Sequence, residues 1–143
     1  MNTDTFSRSH FSDTAIKWKW ADSLDAVKAA PNSHHVVFEN DKIRILEVTI
    51  EPYAQEPMHI HKMASVMFGK SDCDTSAFDI VYYRYNYDEL KQKYIIVDSV
   101  HQHVAAANRN EPDTGTSMKP EGPHSIRNLS NVKIDVYRVE FKQ

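Results

Sequence analysis

The sequence predicts an all-β domain, a barrel or sandwich of eight to ten short strands. Three observations carry that expectation. Runs rich in Ile, Val, Phe and Tyr recur from residue 36 to residue 141, the composition of strands. Clusters of turn-forming residues separate those runs at short intervals,. The one segment of helical character, residues 22–30, is stopped by Pro31 and leaves room for a single short helix,.

Taken in order, residues 1–17 are polar and read as an arm,. With the helix they form an N-terminal unit, residues 1–30, ahead of a barrel domain, residues 31–143. Trp18 and Trp20 share a face if extended and are expected to pack on the body of the protein or on a second copy. Asp22 or Ser23 is the expected cap of the helix. Next come VVFE, then Asn40 and Asp41, then KIRILEVTIE, a hairpin whose turn residues tolerate positive φ. In the second of these strands the apolar residues change parity, from Ile43 and Ile45 to Leu46, Val48 and Ile50, so it carries a bulge or has both faces covered. The final strand behaves similarly, with Val132, Ile134 and Val136 on one face and Tyr137, Val139 and Phe141 on the other. The arm or a second subunit is the expected cover, and a homodimer is the expected assembly. Between lie SVMF, AFDIVYYRYNY, a charged turn at DELKQK, and YIIVDSVHQHVAAA. Residues 108–119 are dense in turn formers and are expected to be a loop able to cover a site.

A chain of 143 residues is one domain in size and buries roughly two thirds of its unfolded surface on folding. Its hydrophobic fraction of 41%, charged fraction of 26% and net charge of −3 are ordinary. Scattered basic residues give no reason to expect nucleic acid, and no apolar run approaches the roughly 20 residues that span a bilayer. The single cysteine, Cys73, excludes an internal disulfide, and its acidic neighbour Asp74 disfavours a thiolate. The first residues show no signal-like apolar run, so a reducing, cytoplasmic setting is expected.

Two stretches carry chemistry. PYAQEPMHIHKMASVMFG sets His59 and His61 one residue apart; on a strand they share a face, about 6.6 Å apart along it, and two imidazoles so placed can share a metal ion. PEGPHSIRN supplies His124 among turn-forming residues. His101 and His103 repeat the one-apart spacing without a motif around them and read as a polar strand face or a second contribution to a cavity. Tyr83, Tyr85 and Tyr87 alternate onto one face, for packing or with a hydroxyl in a pocket.

These stretches resemble the two motifs of the cupins. His59, Ile60 and His61 match the first motif's His-x-His, and Pro120, Gly122, His124 and Asn128 match the second, with one residue fewer between Gly122 and His124. The stretch AAPNSHHVVFENDKIRILEV also resembles the opening of small single-domain bacterial cupins, many without an assigned activity, and the resemblance covers residues 25–143. It implies a double-stranded β-helix, or jelly-roll, barrel with a short N-terminal arm or helix, and a metal on His59, His61 and His124. Asn128 is expected to fix backbone. The motif's glutamate, due at 65 or 66, is replaced by Ser65 or Val66, and its opening glycine by Tyr53. Ser65 is then a hydroxyl beside the site or filler.

Three neutral imidazoles suit Fe, Zn, Ni or Cu, and with no carboxylate the ion keeps its charge and favours a small anionic molecule. Metal affinity is expected to weaken below about pH 6, where a histidine of ordinary pKa protonates. Three readings stay open: an enzyme resembling the three-histidine cupin dioxygenases, a non-catalytic small-molecule binding or sensing module with a vestigial metal site, and a structural dimer whose histidines only hydrogen-bond.

Overall fold

The computed structural model describes residues 18–70, 76–106 and 115–143. Cys73, the arm at residues 1–17 and most of the expected covering loop lie outside them. Among the described residues, nine strands follow a short N-terminal turn: β1 (His34–Glu39), β2 (Ile43–Ile50), β3 (His59–His61), β4 (Ser65–Gly69), β5 (Phe78–Asp88), β6 (Lys93–Val104), β7 (Thr116–Met118), β8 (Glu121–Asn128) and β9 (Ile134–Phe141). They form two antiparallel sheets, β1-β2-β9-β4-β7 and β3-β8-β5-β6. From β2 onward the chain crosses between sheets at every step except the β5–β6 hairpin. That crossing pattern is the jelly roll, which encloses a space between two sheets.

The expected helix is reduced to a 3-10 turn, Asp22–Leu24, and one α-helical turn, Ala26–Ala29 (α1). The cap is neither Asp22 nor Ser23 but Asp25, whose carboxylate accepts from Val27 N at 3.1 Å,. Ala26 and Ala30 are fully buried, and Asp25 bridges to Ile60. Thus Ile60 is buried on one side of β3 while His59 and His61 are buried on the other.

The β1–β2 turn needs no positive φ: the Asn40 side chain accepts from Lys42 N at 2.8 Å and Ile43 N at 2.9 Å,. The bulge lies in β1, where the register shifts between Val36 and Phe38. Leu46, Val48 and Ile50 point inward. The N-terminal turn covers Ile60 and not the outside of β2 and β9, so Phe38 and Phe141 are exposed. Residues 116–118, expected within a loop, form β7 against β4.

One end of the barrel is apolar. Ile50, Ile80 and Ile134 pack there with Phe78, Ile126 and Val136, each buried aliphatic side chain being worth about 1.5–3 kcal/mol. Asn128 closes that end, its amide donating to the carbonyls of Val132 (2.7 Å), Ile50 and Glu51 (3.3 Å each) while its oxygen accepts from Ser130 N (2.9 Å). Farther along β9 the inward positions stop being apolar: after Ile134 and Val136 the alternation delivers Arg138 and Glu140, both buried. The interior turns polar there, around the histidines.

Candidate metal centre

β3 and β8 are paired so that His59 lies opposite His124 and His61 opposite Glu121, with a register shift between. Cross-strand partners point to the same face, so both motifs deliver their side chains into one space. His124 sits on a strand and not in a turn, as its neighbours in the sequence suggested. A fourth imidazole, His34 of β1, joins them. The ring centres of His59 lie 4.5 Å from His34, 5.0 Å from His61 and 4.5 Å from His124; those of His61 lie 5.2 Å from His34 and 5.5 Å from His124. All four are almost completely buried.

Each ring is tied down through Nδ1. His59 donates to the Pro57 carbonyl at 2.8 Å, His124 to the Gly122 carbonyl at 2.8 Å, and His61 to Glu140 Oε1 at 2.9 Å. His34 Nδ1 meets the Ser33 hydroxyl at 3.0 Å and the Ala30 carbonyl at 3.4 Å. A carbonyl can only accept, so Nδ1 carries the proton and Nε2 the lone pair. Nε2 of His59 is buried with no hydrogen-bond partner. Fixing Nδ1 outward in this way is how proteins orient metal-ligating histidines.

Carboxylates surround the rings. Glu56 Oε1 accepts from Ile126 N at 3.1 Å and lies 3.8 Å from His59 Nε2. Glu121 receives Arg138 at 2.7 Å and the Tyr82 hydroxyl at 3.2 Å, and Glu140 receives Arg44 Nε at 2.6 Å. Potential ligand atoms come within 4.8 Å of one another in three overlapping sets among the described residues: His34, His59 and His61; Glu56, His59 and His124; His61, Glu121 and His124. Each pair drawn from His59, His61 and His124 falls within one of these sets, completed by His34 or a carboxylate. This donor set fits a divalent transition metal: neutral nitrogen ligands, a buried His59 Nε2 without a partner, and outer hydrogen bonds already in place,.

Burial dominates the electrostatics. It lowers His59 to about 2 and His34 to about 4, holds His61 well below its ordinary value with help from the Arg138 charge, and lowers His124. His59, His34 and His61 are therefore neutral well below pH 6, and His124 is shifted in the same direction. Proton competition for the site is displaced to lower pH than an ordinary histidine implies. Burial also pushes Glu56 up to about 8, leaving its carboxyl uncharged at neutral pH.

Other anticipated residues lie elsewhere. His101 and His103 are exposed on β6, sharing Asp79 at 3.3 and 3.1 Å. Tyr83 sits opposite Ser125 on the face turned away from His124; the tyrosine at the site is Tyr82, stacked on His124 at 5.1 Å and 9°. Ser65 is buried opposite Glu140, its hydroxyl without a partner. Tyr53, standing where the motif glycine belongs, adopts φ 60°. The sequence reading missed His34, Glu56, Tyr82, Glu121, Arg138 and Glu140. For the last two the signal was present, as charges on the inward parity of β9.

Tyr82 also lines an open groove of about 470 Å³ with Trp20, Arg84, Tyr85 and Pro123. Trp20 lies over Gly122, where a Cβ would fall 2.7 Å from the indole ring, and Trp18 meets it edge-on. The groove thus reaches within one side chain of His124.

No family model matches the chain, and no curated protein matches it. Among solved structures it is similar to a cupin domain from Bordetella pertussis Tohama I, at 18% identity over 77% of this chain and 92% of that one, TM-score 0.49. It is also similar to a cupin-like protein from Thermotoga maritima MSB8 (12%, 76% and 65%, 0.41) and to a cupin-2 domain protein from Shewanella frigidimarina NCIMB 400 (12%, 77% and 80%, 0.38). No helix among the described residues is long and apolar enough to cross a membrane. By its own strand order and the motif histidines facing each other on β3 and β8, this chain has the cupin barrel fold with a histidine-rich candidate metal site,.

Proposed function

We propose that the chain binds a divalent transition metal, iron, zinc, nickel or copper, through His59, His61 and His124, and uses it to hold a small anionic molecule. The observation that supports this best is the buried Nε2 of His59, without a partner and facing rings that are themselves fixed through Nδ1. A buried acceptor nitrogen without a partner is costly unless something electron-poor sits beside it. A bound ion would act as a Lewis acid toward an anion or a water.

The chain's own residues do the rest. Glu140 and the Gly122 and Pro57 carbonyls keep the rings in one tautomer. Arg138 offsets the charge of Glu121, and the uncharged carboxyl of Glu56 adds no negative field, so an anion is not repelled. Tyr82 and Trp20 offer flat apolar surface beside the entry groove,.

The catalytic form of this reading is a dioxygenase-like enzyme; the other form is a binding or sensing module. Calorimetric titration of small dicarboxylates and 2-oxo acids into metal-loaded and metal-free protein tests it. Binding that requires metal is expected. Equal binding with and without metal would contradict it and leave a ligand-binding barrel. We also infer a homodimer. Val36, Val37 and Phe38, exposed on the edge strand β1, support it, and sedimentation at micromolar concentration measures it.

A further inference from the structure

We propose that His34, on β1 and outside both motifs, is a fourth protein ligand, so that the ion is held by four neutral imidazoles and the motif's lost glutamate is replaced by a histidine from a different strand. This rests on the metal-binding reading above and extends it.

The burial of His34 has no packing explanation. β1 exposes Val36, Val37 and Phe38 to solvent and buries its first histidine, the reverse of hydrophobic ordering. Such an inversion needs a polar purpose.

The geometry supplies one. Imidazole nitrogens about 2.0–2.1 Å from a shared tetrahedral ion put ring centres roughly 5 Å apart. His34 lies 4.5 Å from His59 and 5.2 Å from His61, the same range as the pairings within the motif trio. Its ligand atom falls within 4.8 Å of theirs. Its Nδ1 is anchored on the Ser33 hydroxyl and the Ala30 carbonyl, as the motif rings are anchored on Pro57, Gly122 and Glu140. That leaves Nε2 as the nitrogen available to an ion.

The competing donors are already engaged. Glu56 accepts from Ile126 N and from the Ser33 hydroxyl; Glu121 accepts from Arg138 and Tyr82. Ser65, at the glutamate position, has a side chain too short to replace a carboxylate's reach, and its buried hydroxyl is unpartnered. His34 faces both His59 and His61, and its hydrogen bonds with Ser33 and Ala30 are both on Nδ1, the side away from an ion held at Nε2.

The test uses copper(II) as the probe on the full chain. Pulsed electron paramagnetic resonance counts coordinated imidazoles, and competition with a chelator gives affinity. Four imidazoles are expected in the wild type and three in His34→Ala, with affinity lower by at least about a hundredfold and an unchanged far-ultraviolet circular dichroism spectrum. His34→Gln, whose amide can still donate to Ala30, gives the same loss if His34→Ala folds poorly. Three imidazoles in the wild type, with affinity unchanged in His34→Gln, overturn the inference while metal binding stands. A loss in Glu56→Gln but not in His34→Gln also overturns it, assigning the position to the carboxyl. No copper bound by the wild type overturns the metal reading itself, and this inference with it.

Discussion

His61 donates its Nδ1 proton to Glu140 at 2.9 Å, across 79 residues of sequence. Glu140 is gripped on its other oxygen by Arg44, which also holds both oxygens of Asp25 at 3.1 and 2.9 Å. One run of charge-assisted bonds therefore joins the cap of the N-terminal turn to the candidate metal ring. Glu140→Gln keeps the shape but removes the charge opposite His61. It is expected to weaken metal binding about 10- to 100-fold, read by chelator competition. Glu140→Ala, which opens a buried void and leaves Arg44 with Asp25 as its carboxylate partner, is expected to cost about 1–3 kcal/mol in urea denaturation.

The pH dependence of stability has a definite sign. Burial depresses the four histidines, with His59 at about 2 and His34 at about 4, so between those values and about 6.5 the unfolded chain binds more protons than the folded one. Metal-free stability then falls as pH drops below about 6.5, by up to roughly 1.4 kcal/mol per pH unit for each such ring. Glu56, raised to about 8, opposes this: its contribution is present below about 4.5 and lost as pH rises toward 8. The rings outnumber it. Melting temperature is expected to fall steeply from pH 7 to pH 5 and gently from pH 7 to pH 8.5, with Glu56→Gln removing the second slope. A flat profile from pH 7 to pH 5 would contradict neutral buried rings.

Asn128 closes the end of the barrel away from the histidines through four backbone bonds. Asn128→Ala leaves buried carbonyls unpaired and is expected to cost about 2–4 kcal/mol. Metal stoichiometry at low temperature should not change. The urea midpoint beside metal content separates the two effects.

Tyr53 holds a left-handed backbone that disfavours side chains by about 1–2 kcal/mol,. Tyr53→Gly relieves that while giving the unfolded chain more freedom, so it is expected to be neutral or stabilising by up to about 1 kcal/mol. Tyr53→Val, β-branched at the same φ, is expected to destabilise by about 1–2 kcal/mol. Thermal denaturation of the pair checks both signs.

What was legible in the sequence was periodic or motif-bound. The strands announced themselves by composition, and His59, His61 and His124 by spacing. His34 did not, because one inward histidine at the start of an otherwise exposed strand has no period and no motif. Glu140 and Arg138 were hidden differently: the β9 pattern Val132, Ile134, Val136 was read as ending where its apolar residues ended, whereas the parity ran on into the site. The hairpin turn was placed right for the wrong reason, since Asn40 acts as a side-chain acceptor and not through positive φ, whereas the helix cap was right in kind and fell on Asp25 instead of Asp22 or Ser23. Tyr83 and Tyr82 differ by one residue, and on a strand one residue is the difference between the two faces.

The most direct test of the central claim is elemental analysis of protein prepared without a histidine tag or chelator, beside His59→Ala. Close to one equivalent of a transition metal per chain is expected in the wild type and almost none in the variant. No metal in either, after reconstitution with iron, zinc, nickel and copper in turn, would contradict it.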